Sequence, residues 1–95
     1  MKCLVFAEWC PEDLDKVIKA TVQAQTEQNK FPEKYPNGLS PPYQIVGESK
    51  GVRLYEGDVE QLTNFALQYM PLVKVKIVPI VEFTKTIELL QKMKQ

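Results

Sequence analysis

KCLVFAEW, residues 2–9, is the stretch on which the reading of this chain turns. Successive side chains of a strand point to opposite faces, so Cys3, Val5, Ala7 and Trp9 share one side and Leu4, Phe6 and Glu8 the other. Both sides are apolar apart from Glu8. A strand of that kind is covered on both faces and belongs at the centre of a sheet. Helices supply one cover, and the other requires a second layer.

Downstream, Cys10-Pro11-Glu12-Asp13 reads as a helix start. Proline at the first helical position loses no hydrogen bond, and the acids suit the positive end of the helix dipole. Leu14, Val17, Ile18 and Val22 recur at helical spacing, with Glu12/Lys16 and Asp15/Lys19 as favourable i,i+4 pairs, which predicts a helix over about residues 11–29. Residues 30–43 carry Pro32, Pro36, Pro41 and Pro42 around Asn37-Gly38, a density that predicts a structureless loop whose Phe31, Tyr35 and Tyr43 either patch the core edge or form a lid or an arm that grips a neighbouring subunit. Residues 43–49 and 51–56 flank Lys50-Gly51 as a hairpin. Asp58 and Gln61 form a capping-box pattern ahead of Leu62, Phe65, Ala66, Tyr69 and Met70, and Pro71 ends that second helix. The last strand is read over residues 73–83. Pro79 within it cannot donate to a ladder, so the strand belongs at an edge, which Lys74 and Lys76 would guard, or carries a bulge there. Thr84 is expected to cap a final helix carrying Ile87, Leu90 and Met93.

The order β-α-β-β-α-β-α predicts an α+β fold: a ferredoxin-like split β-α-β-β-α-β with an extra C-terminal helix, in one domain over residues 1–95. Its four-stranded antiparallel sheet has the first and third strands at the centre. Giving the more apolar side of each strand to the helices places Val5, Ala7, Trp9, Ile45, Val52, Leu54, Val75, Ile77 and Val81 in the core. Leu4, Phe6, Glu8, Gln44, Val46, Glu48, Arg53, Tyr55, Val78 and Ile80 then share the opposite face. That face is too apolar to stand bare in water, and its simplest cover is the same face of a second copy. Two facing sheets enclose a space that Glu8, Glu48, Arg53 and Tyr55 would line.

Composition narrows the chemistry. Twelve basic and twelve acidic residues cancel, leaving no electrostatic reason to bind nucleic acid or an anionic membrane. The absence of histidine excludes the usual zinc sites, histidine-based triads and histidine-ligated haem. Cys3 and Cys10 match neither a disulfide framework nor a metal site. Glu8, Glu12 and Asp13 come too early for a signal peptide, so none is expected, and no apolar run reaches about 20 residues. A cytoplasmic chain with no metal, no cofactor and no membrane or nucleic-acid partner is expected.

The order of elements and the half-polar sheet resemble the dimeric α+β barrel superfamily. Within it, the opening strand ending in Glu8-Trp9, the Cys10-Pro11-Glu12-Asp13 helix start, the turn at 54–58 leading into LTNFALQYMPLVKVKIVPI, and the length are similar to the DUF3303 family. The resemblance covers nearly the whole chain except the proline-rich loop. It implies the fold and a homodimer but no reaction. The wider superfamily includes cofactor-free monooxygenases, haem-dependent enzymes and effector-binding domains, and the haem branch's histidine ligand has no counterpart here.

Glu8 is the candidate catalytic residue. A carboxylate beside Phe6 in a central strand is expected to resist ionisation unless paired, as a general acid or base requires, and Arg53 is its natural partner or the holder of a ligand carboxylate. Against this stands a plain Glu8–Arg53 ion pair, or a strand-end Glu8 in water. Trp9 is a stacking platform or simply core, and Tyr55 a donor to a ligand oxygen or a dimer contact. Cys10 without a histidine is a poor nucleophile, and Cys3 is packing. Two functions follow. The first is a homodimer, or higher oligomer, that binds a small molecule through Glu8, Arg53, Tyr55, Glu48 and Trp9 or serves a structural role. The second is a cofactor-independent monooxygenase- or isomerase-like enzyme.

Overall fold

The computed structural model describes residues 1–94. The fold is α+β, with three helices and a five-stranded antiparallel sheet. Strand β1 (Lys2–Glu8) lies at its centre, between β4 (Lys50–Glu56) and β5 (Lys74–Pro79). The short strands β2 (Asn37–Gly38) and β3 (Tyr43–Gln44) both pair with the outer side of β4. The fifth strand therefore comes from the proline-rich segment. Pro36, Pro41 and Pro42 flank Asn37–Gly38 and confine it to two residues, while Pro32 opens a 3-10 turn at Pro32–Lys34. The expected structureless loop is in part sheet edge. The first arm of the expected hairpin is correspondingly shorter: only Tyr43–Gln44 pairs, and a turn with Gly47 at φ 78° brings Ile45 N–H to the Lys50 carbonyl at 3.0 Å.

Helix α1 (Leu14–Lys30) follows a 3-10 turn at Pro11–Asp13, in line with the sequence reading. Helix α2 (Val59–Tyr69) carries the expected capping box, with Gln61 N–H donating to Asp58 Oδ1 at 2.8 Å and Asp58 N–H to Gln61 Oε1 at 3.0 Å. Helix α3 (Phe83–Met93) begins one residue before Thr84, so Glu82 occupies the cap position and Thr84 lies inside the helix. The last strand is shorter than the expected 73–83: β5 is an edge strand that ends at Pro79, whose missing donor stops the ladder, and Phe83 already belongs to α3.

The register fixes the faces. Cys3 faces Tyr55 across β1 and β4, Val5 faces Arg53, and Ala7 faces Gly51; on β5, Val5 faces Ile77 and Ala7 faces Val75. Directly paired residues share a side, so Arg53 and Tyr55 lie on the helix side with Cys3 and Val5. Val52 and Leu54 lie on the other side with Leu4 and Phe6. This reverses the expected assignment of β4. Its cause is a one-residue parity: when both faces of a strand offer apolar groups, alternation alone does not say which goes inward. Tyr55 supplies more buried area than Leu54, and it packs into a cluster with Cys3, Val5, Leu62 and Phe65, its ring centroid 4.9 Å from that of Phe65. Ile45 and Val81, expected in the core, are exposed, whereas Val75 and Ile77 pack against the cluster as expected.

Among the described residues no helix is long and apolar enough to cross a membrane.

Candidate functional site

Helices α1 and α2 pack against each other on the helix side, where Gln28 donates to Gln68 at 2.9 Å and Gln68 to the Ala24 carbonyl at 3.4 Å. Those bonds tie the C-terminal half of α1 to α2. The N-terminal half stands off the sheet. Val17 and Ala24 are the buried residues of the whole helix, while Leu14, Ile18 and Val22, on the same apolar stripe, remain 46–63% exposed. An open groove of about 480 Å³ lies between that stripe and the sheet. Val5, Ala7, Arg53 and Tyr55 contribute from the strands, Trp9 from the end of β1, and Tyr69 from α2. A concave, mostly apolar space of this size with a few convergent polar groups has the form of a small-molecule site.

Arg53 is the polar feature of this groove. Its Nε donates to the Ser40 carbonyl at 2.7 Å, its Nη1 reaches the Tyr55 hydroxyl at 3.4 Å, and the guanidinium lies 5.0 Å from the centre of the Tyr55 ring. The side chain passes directly over Gly38, where a Cβ would overlap the guanidinium group. Ser40 also receives the Leu54 N–H on its hydroxyl at 3.0 Å, which locks the carbonyl that holds Arg53. The proline-rich segment thus builds the seat of the arginine: Gly38 leaves the space and Ser40 supplies the acceptor. Among the described residues no carboxylate pairs with Arg53. A guanidinium has five N–H donors, and among the described residues only Nε and Nη1 are engaged. The remaining donors are what a carboxylate or phosphate would use.

The two tyrosines of the groove are neutral donors. Burial pushes the Tyr55 hydroxyl above its ordinary value of 10.0, a shift partly offset by the charge of Arg53 and its hydrogen bond. Burial likewise raises Tyr69, partly offset by Thr21 and Arg53.

The structure separates the residues expected to converge. Glu8 lies on the opposite face of the sheet from Arg53 and Tyr55, exposed at the end of β1, where Lys50 and Lys74 are its cross-strand neighbours. It belongs to a second depression of about 330 Å³ that also involves Phe6, Ile45 and Lys76. Glu48 sits exposed in the turn before β4, its carboxylate 4.0 Å from Lys50 Nζ, and lines neither space. The expected grouping of Glu8, Glu48, Arg53 and Tyr55 around one inter-sheet space is therefore corrected by the register. Trp9 does meet Arg53 and Tyr55 in the groove, half-buried, its ring 3.8 Å from the position a Gly51 side chain would take. Cys3 is fully buried in the core and Cys10 is exposed. The sequence reading passed over Gly38, Ser40 and Tyr69. Asn37-Gly38 carried a local signal, a glycine between prolines, but nothing in the sequence tied it to Arg53.

Among the described residues no group of three or more histidine, cysteine, aspartate or glutamate side chains comes together as a metal site. No family model matches this chain, and no curated protein matches it.

Proposed function

We propose that this protein is a homodimeric, ferredoxin-like small-molecule binder that takes an apolar carboxylate into the groove between α1 and the sheet. The observation that carries the ligand is Arg53, a guanidinium seated by Gly38 and Ser40 in an apolar groove with donors to spare. The apolar body of the ligand would lie along Leu14, Ile18 and Val22, and its carboxylate would meet Arg53 beside the Tyr55 hydroxyl. The expected site between facing sheets gives way to this groove, because Arg53 and Tyr55 lie on the helix side.

The ferredoxin-like reading is supported by the strand order β5-β1-β4, with β2 and β3 sharing the remaining edge in place of one longer strand. The dimer is supported by the bare side of the sheet. There Leu4, Phe6, Val52, Leu54 and Val78 form a contiguous, half-buried apolar patch. With Val52 and Leu54 in place of Arg53 and Tyr55, this patch is more apolar than the sequence reading expected, which strengthens the case for a second copy of the same face, as in dimeric α+β barrels and the DUF3303 family. The enzyme reading required Glu8 and Arg53 to converge, and they lie on opposite faces.

Binding is tested by calorimetry with decanoate and 1-naphthoate, using decanol and 1-naphthol as uncharged controls. The carboxylates are expected to bind at least about tenfold more tightly than the alcohols, since a hydrogen bond to a charged group contributes roughly 1.5–3 kcal/mol. Arg53→Gln is expected to erase that difference. Equal affinity for acid and alcohol in the unmodified protein would remove the anion from the proposal.

A further inference from the structure

Helix α3 packs against no other element among the described residues, and every one of its residues is exposed. Its sequence is nevertheless sharply two-sided. Phe83, Ile87 and Leu90 line up at i, i+4 and i+7, with Leu89 and Met93 widening the stripe, while Lys85, Glu88 and Lys92 occupy the other side. A stripe of this width is what a helix presents to a core. Phe83 is 75% exposed and Met93 82%, so the chain itself provides no such core.

An isolated helix of 11 residues is marginal in water. Nor is α3 helped by its start: Glu82 in the cap position makes no side-chain bond to the helix and instead accepts from Lys2 Nζ at 3.1 Å. That bond orients the arm. Lys2 pairs with Glu56 in the register that puts Leu4 and Phe6 on the bare face, so the helix starts on the bare side of the sheet. Ile80 N–H donates to the Lys2 carbonyl at 3.0 Å, so the connection between β5 and α3 is held at both ends and α3 is directed away from its own body.

The dimensions agree. The accessible surface is 7065 Å², about 1,500 Å² above the roughly 5,600 Å² of a compact monomer of this size. The radius of gyration is 15.7 Å, against about 12 Å for a compact chain of this length. A standard interface buries about 800 Å² per partner, so the surplus is large enough for one.

We infer that α3 is an exchanged arm that crosses to a second copy of this chain and lays its Phe83–Ile87–Leu90 stripe on that copy's bare sheet face, beside the facing strands. The inference rests on the homodimer proposed above and adds that the dimer is incomplete without α3. A second copy is the fitting occupant because the bare sheet face, whose margin beside the facing strands the helix would cover, lies on the side from which α3 departs. By symmetry each arm then finds the same surface on the other protomer.

The test is hydrogen–deuterium exchange of the full chain across a dilution series, with the oligomeric state followed by native mass spectrometry. The α3 amides are expected to be protected in the dimer and to lose protection in step with its dissociation. Leu90→Asp is expected to weaken the dimer at least about tenfold while leaving the circular dichroism of the body unchanged, because Leu90 lies on a helix that packs against no other described element. A dimer whose α3 exchanges like an unfolded peptide overturns the arm and leaves the sheet-face dimer standing. Protection that persists in the monomer overturns the arm in favour of docking onto its own body. A chain that is monomeric at every concentration overturns both the arm and the homodimer.

Discussion

Tyr55 buries its ring against Phe65 at 4.9 Å while its hydroxyl turns back to Arg53 at 3.4 Å. An aromatic with a polar tip suits the floor of a groove, where one part is packed and the other meets solvent or ligand. The arrangement has a pH signature. Burial raises the Tyr55 and Tyr69 hydroxyls above their unfolded value of 10.0. A folded value above the unfolded one means that the native state keeps its proton after the unfolded chain has released it. The stabilisation is therefore fully present below about pH 10 and is lost as pH rises through the folded values. Urea midpoints measured from neutral pH to about pH 11 should fall above pH 10, and the fall should be shallower in a Tyr55→Phe, Tyr69→Phe variant. Identical curves for the variant and the parent would assign the alkaline loss to other groups, the lysines first.

At the scale of elements, the sheet shows which parts of the fold were legible in the sequence. The central position of β1 followed from apolar residues on both of its faces, the edge position of β5 from Pro79, and the α2 start from Asp58 and Gln61. Each rested on a local rule, and for Pro79 that rule allowed an edge or a bulge. The face of β4 was not legible, because Val52-Arg53-Leu54-Tyr55 offers an acceptable inward pair in either parity, and only pairing with Cys3 and Val5 decides between them. Strand β2 was hidden for a related reason. Its two residues sit between prolines, and what requires them is a side chain 15 positions away, the Arg53 guanidinium lying over Gly38. The site was legible only as a set of residue types, with Arg53, Tyr55 and Trp9 meeting in the groove and Glu8 and Glu48 elsewhere. The Gly38 contact gives a prediction in which stability and binding separate. In Gly38→Ala the methyl meets the far end of a flexible side chain, so the fold should lose less than about 1 kcal/mol. The guanidinium must leave its seat, and decanoate binding should weaken about tenfold. A variant that binds decanoate like the parent would show that Gly38 does not set the position of Arg53.

The whole molecule carries two sets of apolar groups that its own chain leaves uncovered: the bare face of the sheet, and the stripe of α3 directed away from the body. A surplus of surface, an extended outline of 55 × 33 × 21 Å and a helix too short to stand alone are the features on which the proposed homodimer rests. The groove faces the other way, on the helix side, so the proposed assembly and the proposed ligand would draw on opposite faces of one sheet. That separation makes the interface testable without touching the site. Phe6 lies at the middle of the bare face, paired with Val52 on one side and Lys76 on the other, and half-buried in the single chain. Phe6→Glu adds a charge that is tolerable beside Lys76 in a monomer. In a two-fold interface it would bury two glutamates close to each other, at a cost of several kcal/mol. Light scattering during gel filtration should show the parent as a dimer and Phe6→Glu as a monomer, with decanoate still bound through Arg53. A variant that remains dimeric would move the interface off this face, and one that loses decanoate along with the dimer would join the two faces into a single functional unit.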